Sequence, residues 1–151
     1  MARRDFVGIY KPRRAVNGGS VLQLKLGSQR DCMFLELAPQ IRAMDDSKPY
    51  DWDESRITVK LGPTDIGKLL ALLNGMLPLA DDPKMPDLEL FHKNSKGNKI
   101  IKIKKQDRGY YVKVSSKELD KQVSVAIPVA WDEAELLRVA LNRGYEIILG
   151  W

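Results

Sequence analysis

The hydrophobic positions of the chain follow two periods, one typical of strands and one typical of helices. Successive side chains of a strand point to opposite faces, so alternating apolar residues predict a strand. Alternation, or a short β-rich or apolar run, occurs in residues 6–11, 21–26, 31–38, 56–61, 88–93, 99–105, 110–115 and 122–127. Pro128 is predicted to interrupt the chain after the last of these strands.

Two further segments carry leucines at the three- and four-residue spacing of a helix. The first follows Gly62-Pro63-Thr64-Asp65, which places a proline and an acid in the first turn, and it ends at Gly75. The second begins near Trp131, and Gly144 within it favours a kink or break, because glycine costs a helix about 1 kcal/mol relative to alanine. The composition of residues 40–54 and 76–87 is that of loops.

Each half of the chain therefore predicts four strands followed by one helix. We predict one domain over residues 1–151 with an internal repeat of residues 5–75 and 87–151. The fold class is α+β, with two four-stranded antiparallel sheets and each half β-β-β-β-α. The helices carry more apolar residues than a small monomer easily covers, which favours self-association, although the helices could instead pack on each other within one chain. The predicted subunit interface comprises Leu69, Leu70, Leu73, Leu136, Leu137 and Leu141.

Positive charge is concentrated in two parts of a chain whose net charge is +5. Residues 1–30 contain seven Lys or Arg and one acid, and residues 93–113 contain eight and one. Within the second cluster, alternation places Lys102 and Lys104 on one strand face, and in the next strand it places Tyr111 and Lys113 on one face. Lysines neutralise phosphate and a flat ring stacks on any base, so this face suits single-stranded nucleic acid. A merely solvated lysine-rich face is the alternative.

The residues needed for catalysis or metal binding are scarce. Cys32 is the single cysteine and His92 the single histidine, so a zinc site of the usual ligands cannot be assembled. No glycine-rich phosphate loop opens a helix. We predict a protein that is not an enzyme and that needs no cofactor or metal.

Cysteine usage and hydropathy bear on where the protein acts. A lone cysteine forms no internal disulfide, which suits a reducing compartment, and Cys32 lies in an apolar stretch that predicts burial. The start of the chain lacks a secretory apolar segment, and no run approaches the roughly 20 apolar residues of a membrane span. A cytoplasmic or nucleoid-associated protein without membrane contact is expected.

Several short elements, in order over about residues 8–151, resemble those of the Whirly family. They are Tyr50-Asp51-Trp52, Gly62-Pro63-Thr64-Asp65-Ile66-Gly67, Leu90-Phe91-His92, Ile127-Pro128-Val129 and Ile148-Leu149-Gly150-Trp151. The resemblance implies binding of single-stranded DNA with little sequence preference. It also implies two sheets packed crosswise and a tetramer whose helices meet at the centre, with DNA in grooves between neighbouring blades.

One segment departs from the family pattern. The stretch Lys11-Pro12-Arg13-Arg14-Ala15-Val16 stands where the family has Lys-Gly-Lys-Ala-Ala-Leu, so a proline without a backbone donor replaces glycine. This difference puts assembly beyond the tetramer in doubt.

The expected function is sequence-tolerant binding of single-stranded DNA in replication, repair or transcription, by a homotetramer. RNA binding or annealing on the same scaffold is the first alternative, and a protein–protein module with basic faces is the second. The candidate nucleic-acid-binding residues are Tyr10, Lys11, Arg13, Arg14, Lys25, Lys60, Lys99, Lys102, Lys104, Tyr111 and Lys113.

Overall fold

The strands and helices form in the predicted order in a computed structural model that describes residues 6–13 and 18–150. The first half contains β1 (Phe6–Lys11), β2 (Ser20–Leu26), β3 (Met33–Pro39), β4 (Ile57–Leu61) and α1 (Pro63–Leu73). The second half contains β5 (Leu88–Asn94), β6 (Gly97–Gln106), β7 (Gly109–Glu118), β8 (Lys121–Ala130) and α2 (Trp131–Ile148). Both halves therefore consist of four strands and a helix.

Each group of four consecutive strands forms one antiparallel sheet in sequential order. Sheet 1 contains β1–β2–β3–β4, and sheet 2 contains β5–β6–β7–β8. The predicted α+β class with two four-stranded antiparallel sheets is confirmed. Short connections between neighbouring strands explain this order, because antiparallel strands can be joined by tight turns.

One face of each sheet, here called its inner face, forms the core together with the helices. In sheet 2 the inner face carries rows such as Leu90, Ile101, Val114 and Val125, which pair across the four strands. The sheets meet where β2 approaches β8, and there the Ser20 hydroxyl donates a hydrogen bond of 2.8 Å to the Ala126 carbonyl. The opposite, outer faces are therefore left for other contacts.

Both helices begin with the same arrangement of a backbone donor and a carboxylate three residues later. The Gly62 N–H donates to the Asp65 carboxylate at 3.0 Å, and the Ala130 N–H donates to the Glu133 carboxylate at 3.0 Å. Each carboxylate satisfies a donor at the helix start and lies near the positive end of the helix dipole. The predicted start of α1 at the Gly62-Pro63-Thr64-Asp65 segment is thus correct.

Two predicted interruptions are wrong. Strand β8 continues through Pro128 to Ala130, because β8 is an edge strand and tolerates proline where the missing N–H would point away from the sheet. Helix α2 continues through Gly144, which is buried against Met33 of β3. A Cβ atom at Gly144 would collide with the Met33 side chain, so glycine here allows close packing and does not break the helix.

The leucines predicted to lie between subunits mostly lie in the core of the single chain. Leu69, Leu70, Leu137 and Leu141 are buried among the sheets and helices of one molecule, and α1 contacts α2 directly. Their burial therefore requires no second subunit, which corrects the reason for expecting them at an interface. Leu73 is half-buried, whereas Leu136 on α2 is 44% exposed. An interface at Leu136 stays a prediction.

Candidate nucleic-acid interface

The outer face of sheet 2 combines lysines with two exposed aromatic rings. Lys102 of β6 pairs with Lys113 of β7, and the adjacent row pairs Lys104 with Tyr111. The Phe91 ring on β5 is 56% exposed and the Tyr111 ring is 39% exposed. The structure thus brings together Lys102, Tyr111 and Lys113, as the alternation of residues 98–114 predicts.

Local sequence explains why these side chains point outward. The residues that alternate with them are Ile101, Ile103, Val112 and Val114, and all of these are buried in the core. A slip of one residue in either strand would exchange the buried and exposed sets, so burial of the β-branched residues specifies the register. Core packing therefore holds the lysines and the tyrosine on the outer face.

Lys102 and Lys113 carry positive charge without a compensating acid. They lie directly opposite each other across β6 and β7. In the described part of the chain neither ammonium group forms an ion pair within 4.0 Å. Like charges opposite each other destabilise a sheet, and an anion placed between them would remove that repulsion. Phosphate groups of a nucleic acid would provide such an anion.

Residues 83–86 lie beside this pair and form a small groove with the sheet. The groove has a volume of about 170 Å³ and is lined by Pro83, Lys84, Met85 and Pro86 together with Lys102, Lys104, Tyr111 and Lys113. A flat ring at one side and ammonium groups at the other give this groove the two chemical components that a stacked nucleotide uses.

Asp87 attaches the segment before β5 to the edge of the sheet. Its side chain is 1% exposed and accepts hydrogen bonds from the Lys105 N–H at 2.7 Å, the Ala80 N–H at 2.8 Å and the Lys104 ammonium at 3.2 Å. Burial of Asp87 opposes its ionisation, but these three donors outweigh burial and hold the pKa of the carboxyl below its usual value. Lys104 is therefore a structural cation in part, because Asp87 neutralises it.

Replacing Asp87 by asparagine is expected to destabilise the fold by about 1–3 kcal/mol, because a buried charged acceptor with three donors is lost. A lowered pKa makes ionised Asp87 stabilising above the ordinary carboxyl pKa, and this contribution disappears as pH falls through the folded-state pKa. Urea unfolding across pH should therefore show a stability difference from the unmutated protein at neutral pH that shrinks in acid. Asp107→Asn, at an exposed turn, is the matched control and should change little.

The outer face of sheet 1 carries a second aromatic and basic row that sequence reasoning only partly identified. Phe6, Lys25, Phe34 and Lys60 pair in this order across β1, β2, β3 and β4. Phe6 and Phe34 were not among the predicted site residues. The signal for Phe34 was its position between buried Met33 and Leu35, which placed its ring on the face opposite the core.

Several predicted binding cations are held by other groups of the protein. The Lys25 ammonium lies 2.6 Å from the buried Glu36 carboxylate, and the Lys11 ammonium lies 2.5 Å from the Glu133 carboxylate. Lys99 is on the inner side of sheet 2, where its ammonium donates to the Thr58 carbonyl at 2.6 Å. The prediction of Lys99 as an outward binding residue is wrong, because alternation places it with His92 and Ser116 on the inner side.

The remaining predicted residues are placed on sheet 1 or beside it. Tyr10 is half exposed on the outer face of β1, and Lys60 is exposed on β4. Arg13 follows β1, and its backbone forms two hydrogen bonds with the Gln40 side chain. Arg14 lies outside the described residues.

His92 and Trp52 have structural contacts. The His92 imidazole lies 3.3 Å from the Asp65 carboxylate, and Trp52 packs against a small cluster on the outer side of sheet 1 that contains Val21, Ala38 and Tyr50. Cys32 is buried as predicted, and burial raises the pKa of its thiol. Within residues 6–13 and 18–150, no three His, Cys, Asp or Glu side chains are grouped as a metal site requires. Neither described helix is long and apolar enough to cross a membrane.

Solved structures with the same fold include proteins from plants and trypanosomes. WHY3 from Arabidopsis thaliana is 21% identical, with a TM-score of 0.66, and the alignment covers 99% of this chain and 92% of that chain. Trypanosome MRP1/MRP2 is 13% identical, with a TM-score of 0.72 and coverage of 96% and 86%. A guideRNA-binding protein complex bound to a gRNA is also 13% identical, with a TM-score of 0.72 and coverage of 97% and 92%. At these identities the similarity shows the fold alone.

Comparison with families connects the chain to the same group. No curated protein matches the sequence. Residues 17–140 match the family described as Whirly transcription factor, which is more than half of the chain. The ordered motifs, the two four-stranded sheets and this match agree, and the protein belongs to the Whirly family of nucleic-acid-binding proteins.

Proposed function

We propose that this protein binds single-stranded DNA without strong sequence preference, through the outer face of sheet 2. The observation that carries this proposal is the exposed Tyr111 ring beside Lys102 and Lys113, which form no ion pairs in the described structure. Ammonium groups bind phosphate of any sequence, and an aromatic ring stacks on every base. Such a surface binds single strands better than duplexes, because paired bases cannot stack on a side chain.

Function on this proposal is binding without catalysis, and it requires neither metal nor cofactor. A protein of this kind protects single-stranded DNA or presents it during replication, repair or transcription, in the cytoplasm or at a nucleoid. We further propose a homotetramer, because the exposed Leu136 side chain leaves an apolar position on α2 uncovered in one chain. Several binding faces in one particle would raise the apparent affinity for a long strand.

RNA is the second candidate ligand. The fold similarity to a guideRNA-binding protein complex bound to a gRNA supports this candidate. Lysine and tyrosine side chains contact phosphate and base planes in both nucleic acids, so the face does not by itself select against a 2′-hydroxyl. A protein–protein module that meets acidic partners remains the third candidate, from a different functional class.

Competition among three ligands of equal length tests the proposal. Fluorescence anisotropy with labelled single-stranded DNA, single-stranded RNA and duplex DNA should give the tightest binding for single-stranded DNA, and this binding should weaken steeply as salt rises. Tyr111→Ala should cost about 1–3 kcal/mol of binding free energy, whereas Tyr111→Phe should retain most of the affinity because the ring remains. Stronger binding to RNA would favour the second candidate, and absence of nucleic-acid binding would contradict both.

A further inference from the structure

A second basic groove lies where the edge of sheet 1 meets the edge of sheet 2. Its volume is about 320 Å³, and it runs between β4 and β5, which are the adjoining edge strands. The lining residues are Phe34, Thr58, Val59, Lys60, His92, Lys93, Asn94 and Lys99. No carboxylate contributes to this lining, so the groove is suited to an anion.

Two of the three lysines in the groove are available to a ligand. Lys99 donates to the Thr58 carbonyl, and the neighbouring His92 lies beside Asp65. Lys60 and Lys93 are both exposed, and neither forms an ion pair with another described residue. Their ammonium groups therefore keep their full hydration and charge until an anion replaces the water. A phosphodiester chain supplies repeated anions at the spacing of its nucleotides.

The groove connects the outer faces of the two sheets. On the sheet 1 side the row of Phe6, Lys25, Phe34 and Lys60 ends in the groove at Phe34 and Lys60. On the sheet 2 side Lys93 starts a row that continues through Asn98 and Lys117 to Gln122. Neighbouring strands are about 4.8 Å apart, so each row lies across the strands and presents side chains at short, regular intervals.

We infer that one single strand of nucleic acid crosses from the outer face of sheet 1 to that of sheet 2 through this groove. Lys60 and Lys93 bind its sugar–phosphate backbone at the crossing, and Phe34 offers an apolar ring surface to a base there. The inference rests on the proposed function and extends it, because it assigns a binding path within one chain. It predicts that a strand long enough to reach both sheets gains contacts that a short strand lacks.

The test compares the length dependence of binding in two double variants. Oligo(dT) ligands from about 4 to about 16 nucleotides cover the site sizes of small single-strand-binding modules. Lys60→Glu with Lys93→Glu should lower the affinity for the longest ligand about tenfold and leave the shortest ligand nearly unchanged. Lys102→Glu with Lys113→Glu should weaken binding at every length. Lys68→Glu with Arg143→Glu, on the two helices, has the same change in net charge and should alter neither.

Failure of the groove is distinguishable from failure of the proposed function. If the Lys60/Lys93 variant binds every length as the unmutated protein does, or loses affinity equally at all lengths, the crossing is wrong while binding on sheet 2 stands. Absence of binding by the unmutated protein at every length would overturn both. Circular dichroism of each variant checks that these exposed substitutions leave the fold intact, so a loss specific to long ligands reports the groove.

Discussion

Reversing the charge of Lys102 and Lys113 together is expected to lower the affinity for single-stranded DNA by about tenfold to a hundredfold, or about 1.4–2.8 kcal/mol. Both side chains are exposed on the outer face of sheet 2, and neither is neutralised by another described residue. Two glutamates at these positions would repel the phosphates that two ammonium groups attract. The loss should be similar for every sequence, because phosphate contacts position a strand without reading its bases.

Salt dependence gives this prediction a second, independent measurement. Each neutralised phosphate contributes about 0.7 to the slope of log affinity against log salt for a single strand. The double variant should therefore show a slope smaller by about 1.4 than that of the unmutated protein. Lys68→Glu with Arg143→Glu is the matched control, since its charge change is equal but lies on α1 and α2. An unchanged affinity and slope in the Lys102/Lys113 variant would place the binding face elsewhere.

Introducing aspartates at Leu136 and Val139 is expected to convert a tetramer into single chains. Both side chains lie on α2 at a spacing of three residues, and they are 44% and 53% exposed in one chain. Burial of these side chains between subunits would stabilise the assembly by removing apolar surface from water. A carboxylate in the same place would lose its hydration without gaining a partner, which is strongly unfavourable. Light scattering after size-exclusion chromatography measures the change in mass directly.

Two further substitutions separate an interface effect from a folding effect. Leu137 is buried in the core of the single chain, so Leu137→Asp should unfold the protein and abolish cooperative thermal unfolding. Asn142→Asp adds an exposed charge to the same helix and should leave both mass and fold unchanged. Leu136→Asp with Val139→Asp should lower the mass and preserve cooperative unfolding. A monomeric mass for the unmutated protein at micromolar concentration would overturn the tetramer.

Period and turn chemistry in the sequence determined much of the fold. Alternating residues identified all eight strands, because a strand must present one apolar face to the core. The segment from Gly62 to Asp65 identified the start of α1, because the groups that satisfy a helix terminus lie within four residues of it. The same alternation placed Lys102, Tyr111 and Lys113 on one outward face, since the register of β6 and β7 follows from burial of their β-branched residues.

Predictions that depended on local rules alone were wrong where packing between distant segments overrode those rules. Glycine at position 144 favours a helix break in isolation, but close contact with Met33 of β3 requires a residue without a side chain there. Proline at position 128 is compatible with β8 only because that strand is at the edge of sheet 2. Neither the contact with β3 nor the strand order can be read from the residues around these positions.

Which lysines can bind a ligand was decided by the tertiary structure. The sequence determined that residues 93–113 are rich in cations and that some of them share a face with Tyr111. It did not distinguish neutralised lysines from available ones, because the neutralising groups come from remote parts of the chain. Glu133 of α2 reaches Lys11 of β1, and Lys99 of β6 donates to a carbonyl of β4. Only the folding of both sheets onto the helices leaves Lys60, Lys93, Lys102 and Lys113 without acidic partners in the described structure, because an ion pair depends on distance in space and not on separation along the chain.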